Sequence, residues 1–361
     1  MTAAGFHPLT VADVTPLTAD AVSIGLRVPV ALAGTFAYQP GQHLPVRVPP
    51  ALLPPGAAEE RRTYSVCVPP GTAARDGLLR IGVRRVEGGA LSTHLVERLG
   101  PGDILEVGAP TGRFVLAPGA RHVVGIVGGS GVTPVLAIAG ELLATDPAGR
   151  VTLVVVNRTA ATVMFAEELA DLKDAHPTRL LLTHVLTREP QTAPVLSGRP
   201  DAERWKLLLD GLLAGAPPVT GWYLCGPRDL VTAARAAVLD RGAEPTEVHV
   251  ELFHAGDPPP VPAAAPGAAG ATITARLGGR RTTVTAEHTD ASVLDAVLRV
   301  RADAPFACRG GVCGTCRARV EDGEVAMSEQ WALEPAELAA GYVLTCRSRA
   351  AGPRLELDYD A

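Results

Sequence analysis

HVVGIVGGSGVTPVLAIAGELLATD, residues 122–146, decides the reading of the fold. It opens on a continuous apolar and glycine run, the pattern of a strand buried on both faces. Gly128-Gly129-Ser130-Gly131-Val132-Thr133-Pro134 then turns the chain, and Pro134 suits the first turn of the apolar helix that follows. Strand, glycine turn and helix in succession imply a parallel sheet that binds ligands at the carboxyl ends of its strands. Glycines let a ligand approach the backbone, and a helix N-terminus favours phosphate charge. The run is not G-x-G-x-x-G, so it reads as an anion loop, with a plain β–α turn as the alternative.

Downstream the alternation continues. VTLVVVN (151–157), RLLLTHVLT (179–187), GWYLCGP (221–227) and EVHVELF (247–253) read as strands. MFAEELADLKDAH (164–176), DAERWKLLLDGLL (201–213) and DLVTAARAAVLDRG (229–242) read as helices between them, giving a doubly wound α/β domain over 119–254. Cys225-Gly226-Pro227 ends one of those strands, where Cys225 is either a small buried filler or a residue facing the ligand. Upstream, short β-branched runs separated by Pro and Gly (AVSIGLRVP, HLPVRVP, RTYSVCVP, LLRIGVRRV, ILEVGAP) predict an antiparallel β-barrel over 1–118. Within it, Arg62-Thr63-Tyr64-Ser65 lies in a strand, and Gly88-Gly89-Ala90-Leu91-Ser92 opens a helix able to hold a pyrophosphate. A tyrosine packed in a barrel core is the plainer reading of the former.

The Pro- and Ala-rich stretch 255–270 cannot build a core and reads as a semi-rigid tether. Beyond it, 271–361 reads as a compact α+β domain. ATITARLGG and RRTTVTAEH form a hairpin, SVLDAVLRVRA a helix, RARVEDGEVAM a second hairpin, and RLELDY a final strand. Its loop Cys308-Arg309-Gly310-Gly311-Val312-Cys313-Gly314-Thr315-Cys316 is C-x4-C-x2-C, and Cys346 follows after residues 317–345. That is the ligand order of a plant-type [2Fe–2S] cluster: two irons need two thiolates each, and glycines let the loop turn N–H donors toward sulfur. A zinc site is the alternative, but zinc sites usually present two close pairs rather than three plus one.

The bulk numbers narrow the field. At 361 residues two or three domains are expected. A net charge of −5 with no Lys/Arg block gives no support for a nucleic-acid partner or an anionic membrane. No uninterrupted apolar run approaches a membrane-spanning length, and the first residues lack the pattern of a signal peptide. Cysteines gathered in the last sixth of the chain suit a reduced, cytoplasmic setting better than a disulfide framework.

In this order and spacing, R-x-Y-S, G-G-x-x-S, G-G-S-G-x-T-P and C-G-P resemble the ferredoxin–NADP reductase superfamily from about residue 6 to 253. The remainder resembles an appended β-grasp ferredoxin. FHPLTVADV (6–14), NRTAATVMF (157–165), CRGGVCGTCRARV (308–320) and ALEPAELAAGYVLTC (332–346) further resemble the reductase subunits of phenylacetyl-CoA epoxidase complexes. The resemblance implies an NAD(P)H-dependent oxidoreductase with FAD, FMN being the alternative, since nicotinamide gives electrons in pairs and a cluster takes them singly. It implies Arg62 at the flavin phosphate, with Thr63 beside it, Tyr64 against the flavin and Ser65 on the isoalloxazine. Gly88, Gly89 and Ser92 would hold the pyrophosphate. Gly129, Ser130, Gly131, Thr133 and Pro134 would lie at the nicotinamide nucleotide, with Cys225, Gly226 and Pro227 opposite. Glu251 and Phe253 would approach the flavin ring, a solvated strand end being the plainer reading of Glu251. Ser65, Cys225 and Glu251 are the expected catalytic residues, and Cys308, Cys313, Cys316 and Cys346 the metal ligands. Arg158 and Arg188 end successive strands, and Thr187-Arg188 resembles the Ser-Arg of NADPH-dependent relatives, so NADPH is expected, with NADH the alternative. Ala307 departs from the serine usual before the first loop cysteine, which removes a hydroxyl donor to a sulfide. The expected acceptor is a diiron oxygenase. A Rieske ring-hydroxylating or alkane-type oxygenase is the alternative acceptor. The electron-relay subunit of a dihydroorotate-type dehydrogenase is a competing class, against which the long gap before Cys346 argues.

Overall fold

The computed structural model describes residues 5–52, 61–253 and 270–361; the expected tether, apart from Gly270, lies outside the described residues. These divide into two compact units, one of residues 7–52 and 64–253, the other of 270–361 with residues 5–6 and 61–63.

In the larger unit, apart from Phe6 and residues 61–63 at two strand starts, the chain first forms β1 (Phe6–Thr18), β2 (Ala21–Arg27), β3 (His43–Arg47), β4 (Arg61–Ser65), α1 (Pro70–Asp76), β5 (Leu78–Arg84), α2 (Ala90–Glu97) and β6 (Ile104–Gly108). The sheet order is β4-β3-β6-β1-β2-β5. An antiparallel bridge between Val66 and Ile81 brings β5 back to the residue after β4, so the barrel closes. Closure removes the free edges that a six-stranded sheet would otherwise expose. Leu9, Ile24, Leu26, Leu44 and Ile81 fill the interior without any exposure, each contributing about 1.5–3 kcal/mol.

The second half of that unit alternates as the pattern predicts. Its elements are β7 (His122–Gly128), α3 (Val132–Thr145), β8 (Arg150–Asn157), α4 (Ala166–Ala175), β9 (Leu180–Leu186), α5 (Ala202–Leu212), β10 (Gly221–Cys225), α6 (Arg228–Asp240) and β11 (Val248–Glu251). The strands lie in the order β11-β10-β7-β8-β9, all parallel. Every residue of β7 and β10 is buried, as central parallel strands covered on both faces must be.

The smaller unit comprises β12 (Thr272–Leu277), β13 (Arg280–Thr285), α7 (Val293–Leu298), β14 (Arg317–Met327), α8 (Pro335–Ala339), β15 (Tyr342–Leu344) and β16 (Ser348–Asp358), in the order β13-β12-β16-β14-β15. Here one expectation needs correction. RARVEDGEVAM is a single strand, not a hairpin, because Asp322-Gly323 stays paired with β16, between two bulge-like register shifts, rather than turning the chain. Gly323 has φ 89°, and a Cβ there would sit 2.2 Å from the Arg354 carbonyl oxygen. Gly323→Ala is therefore expected to destabilise this unit by about 1–3 kcal/mol. Calorimetry of the full chain would show its transition moving down in temperature; an unmoved transition would contradict the bulge.

Candidate functional site

The parallel sheet starts in its middle at β7, runs outward to β9, and resumes on the other side with β10. A crevice opens where strand order reverses, at the carboxyl ends of β7 and β10. The Gly128–Pro134 loop and Cys225-Gly226-Pro227 meet there. A Cβ on Gly131 would lie 2.2 Å from the Cys225 carbonyl oxygen and 2.7 Å from the Gly226 nitrogen. Gly129 and Gly226 adopt φ of 56° and 152°. The Thr133 hydroxyl donates to the Ser130 carbonyl at 2.8 Å, fixing the loop, and Pro134 is buried behind it. Cys225 is fully buried and pairs in register with Glu251. Burial first, and the Glu251 carboxylate second, push its thiol well above the ordinary range. Phe253 is half-buried against the core of this sheet.

Arg158 and Arg188 follow neighbouring strands, and the Arg188 N–H donates to the Arg158 carbonyl at 2.8 Å. Both are exposed. A cleft of about 560 Å³ joins Arg158 to the barrel side of the unit, lined also by Asp20, Arg84, Gly88 and Thr93.

On the barrel, Arg62 is exposed, Thr63 and Tyr64 are half-buried and Ser65 is buried. The Ser65 hydroxyl donates to Glu251 Oε2 at 3.4 Å, and His43 Nδ1 lies 3.5 Å from Glu251 Oε1. Glu251 is thus a buried carboxylate between two polar side chains, not a solvated strand end. Gly88, at φ 71°, and Gly89 precede α2. The Ser92 hydroxyl accepts from the Val86 N–H at 3.1 Å and donates to the Gly89 carbonyl at 3.3 Å, so it shapes the loop from within. Sequence reasoning gave no role to His43, Arg84 or Asp20. Arg84 pairs with Asp20 at 2.8 Å and reaches Gly129, an arrangement that exists only once the end of β5 meets the loop after β7.

The four cysteines of the smaller unit converge as two pairs. The thiols of Cys308 and Cys313 act on each other's titration, and so do those of Cys316 and Cys346. Within the first pair Cys313, and after it the loop's main-chain N–H groups, draws Cys308 down to about 5. Cys316 is likewise lowered by Cys346, while Cys313 and Cys346 are raised. Two thiol pairs, with the Gly310 N–H donating to the Cys308 sulfur at 3.4 Å, fit two irons with two ligands each.

Three family models match successive parts of the chain. A model of the oxidoreductase FAD-binding domain matches residues 8–116, one of the oxidoreductase NAD-binding domain matches 126–236, and one of the 2Fe-2S iron-sulfur cluster binding domain matches 276–351. A 1,2-phenylacetyl-CoA epoxidase subunit from Escherichia coli (strain K12) is 36% identical over 359 residues, 99% of this chain and 98% of its own. The chain belongs to the ferredoxin–NADP reductase superfamily, in its branch with a C-terminal 2Fe-2S domain. Another member, the ferredoxin reductase component of 3-ketosteroid-9-alpha-monooxygenase from Rhodococcus rhodochrous, is 32% identical over 360 residues, 97% of this chain and 96% of that one. The solved structure of phthalate dioxygenase reductase shares the fold with a TM-score of 0.58 at 24% identity, covering 98% of both chains.

As a superfamily member the chain is an NAD(P)H-dependent oxidoreductase that binds FAD, a nicotinamide nucleotide and a [2Fe–2S] cluster. Two expectations follow from the thiols. Cys316→Ala should purify without iron and acid-labile sulfide but with its flavin, as metal analysis beside the visible spectrum would reveal; retained iron would count against the paired ligand set. Cys225, held neutral by burial, should resist iodoacetamide at pH 8 until the protein is unfolded, and rapid native alkylation seen by mass spectrometry would refute that.

Proposed function

We propose that this chain is the reductase component of a phenylacetyl-CoA-oxidising system, taking electrons from NADPH and delivering them to a diiron oxygenase. The observation that carries this reading is the end-to-end likeness to the Escherichia coli epoxidase protein, over 99% of this chain. Domain limits of 1–118, 119–254 and 271–361, with 255–270 as tether, go with it. FAD and the cluster, when bound, supply the change from paired to single electrons.

The chain's own residues position and insulate. Arg62 would neutralise the flavin phosphate, with Thr63 beside it. Tyr64 would pack on the flavin, and Gly88, Gly89 and the loop built by Ser92 would receive the pyrophosphate. Ser65 would hydrogen-bond the isoalloxazine edge, kept in place by Glu251 behind it. Gly129, Ser130, Gly131, Thr133 and Pro134 would form one wall of the nicotinamide crevice, with Cys225, Gly226, Pro227 and Phe253 on the other. The neutral Cys225 thiol fills that wall without adding charge where a hydride must pass. Arg158 and Arg188, exposed at adjacent strand ends, would bind the 2′-phosphate. Ligand thiols that must stay reduced support a cytoplasmic location. Among the described residues no helix is long and apolar enough to cross a membrane.

A second reading keeps the chemistry and changes the acceptor, supported by the full-length likeness to the 3-ketosteroid monooxygenase reductase. Reconstitution decides between them. The purified chain with NADPH should support turnover of a diiron phenylacetyl-CoA epoxidase and leave other oxygenases idle; the reverse would refute the proposal. In Arg188→Ala the KM for NADPH should rise about tenfold or more, for loss of one charge-assisted contact of about 1.5–3 kcal/mol. The KM for NADH should hold. Equal effects on both coenzymes would remove Arg188 from the 2′-phosphate site.

A further inference from the structure

Phe165 is one of two non-glycine residues among those described with positive φ, at 58° with ψ 36°. Arg309 is the other. A bulky aromatic side chain in the left-handed region is an outlier held there by its surroundings. Phe165 sits immediately before α4, and it is only 1% exposed. Its ring reaches out of the nucleotide sheet onto β5 of the barrel, at Gly82. A Cβ at Gly82 would lie 2.7 Å from Phe165 Cε2 and 2.6 Å from Thr133 Cγ2. Gly82 itself has an ordinary backbone, with no positive φ. Its lack of a side chain therefore serves close approach and not a turn.

Three elements meet at this one position. Gly82 follows Ile81, whose bridge to Val66 sets it beside the strand that carries Tyr64 and Ser65. Thr133 belongs to the glycine loop of the crevice and is tied to Ser130. Phe165 closes the loop after β8 and is locked by the turn it makes. Barrel wall, crevice loop and the following strand's exit are thus in van der Waals contact at a point where any side chain would force them apart.

We propose that Phe165 and Gly82 are positioning residues that set the gap between the flavin-bearing barrel wall and the nicotinamide loop. This rests on the flavin and nicotinamide reading given above. Neither residue touches the reacting atoms. The strained turn drives the Phe165 ring onto Gly82, and the Thr133 methyl seats beside it, so the spacing of the two cofactor walls is fixed by direct packing. Hydride transfer depends steeply on such spacing, and a displacement of about 1 Å can cost 10²-fold in rate.

The test is anaerobic single-turnover reduction of the flavin by NADPH in the full-length holoenzyme, read with flavin content and with NADP⁺ affinity from the flavin spectrum. Gly82→Ala should retain FAD and bind NADP⁺ within about twofold of wild type, while its reduction rate at saturating NADPH falls about 10²-fold. Adding Thr133→Ser removes the methyl that the new Cβ meets and keeps the hydroxyl, so the double variant should regain about tenfold. Phe165→Asn, which suits the left-handed conformation and lacks the ring, serves if Gly82→Ala does not fold. It should lower the limiting rate and leave the half-saturating NADPH concentration in place. A wild-type limiting rate in either folded variant overturns the proposal. A wild-type protein that lacks FAD, or is not reduced by NADPH, sinks the functional reading first and this one with it.

Discussion

Contact between two main chains at the reversal of the parallel sheet is the constraint on which the larger unit depends. Gly131 lies against the Cys225 carbonyl and the Gly226 nitrogen, and Gly226 against Gly128. Glycine is required there for lack of space, beyond any preference of the turn. Because the loops touch, the crevice between β7 and β10 has fixed walls and no room for side chains on its floor. The connection from the barrel is pinned to the same sheet. The Tyr223 hydroxyl donates to the Val115 carbonyl at 3.1 Å and accepts from the Ala117 N–H at 2.8 Å, and its ring meets Phe114 edge-on. Barrel and nucleotide sheet therefore act as one body, which a shared binding crevice needs.

Charge is distributed to suit that crevice. Isolated burial of Glu251 would be costly, and it is offset by the Ser65 hydroxyl and the His43 imidazole at 3.4 and 3.5 Å. The His43 ring is in turn pressed by Gly112, where a Cβ would come within 2.8 Å of Nδ1. His43 Nε2 has no hydrogen-bond partner in its buried position. At the mouth, the Arg84–Asp20 pair leaves the Gly129 loop flanked by a guanidinium, a setting that favours a phosphate.

What the sequence made legible was local. Continuous apolar strands, apolar helices with Pro134 at a first turn, and cysteines three plus one along the chain each follow from periodicity or spacing, and the structure has them. The second hairpin in the C-terminal domain was misread because Asp-Gly signals a tight turn and a bulge alike, and only pairing with β16 separates the two. The cysteine order gave ligand number and not partnership: that Cys308 goes with Cys313, and Cys316 with Cys346, depends on how β15 returns to the loop. His43, Arg84 and Phe165 were silent for the same reason. Each matters through a neighbour distant in sequence, and no local pattern records that.

The cysteine loop shows how one unfavourable backbone conformation can be sustained. Arg309 sits at φ 52°, which costs about 1–2 kcal/mol for a residue with a Cβ. That left-handed step lets the Gly310 N–H donate to the Cys308 sulfur at 3.4 Å. Its side chain is tied down as well: the guanidinium pairs with Asp295 in the first turn of α7 at 2.5 Å and lies 4.7 Å from the centre of the Phe306 ring. Asp295 is itself fixed by the Ser292 hydroxyl, which donates to it at 2.7 Å and caps the helix. Helix cap, ion pair and strained turn thus form one chain of contacts ending at a ligand sulfur. Where Ala307 offers no hydroxyl before Cys308, the Gly310 N–H supplies a donor to that sulfur from the main chain.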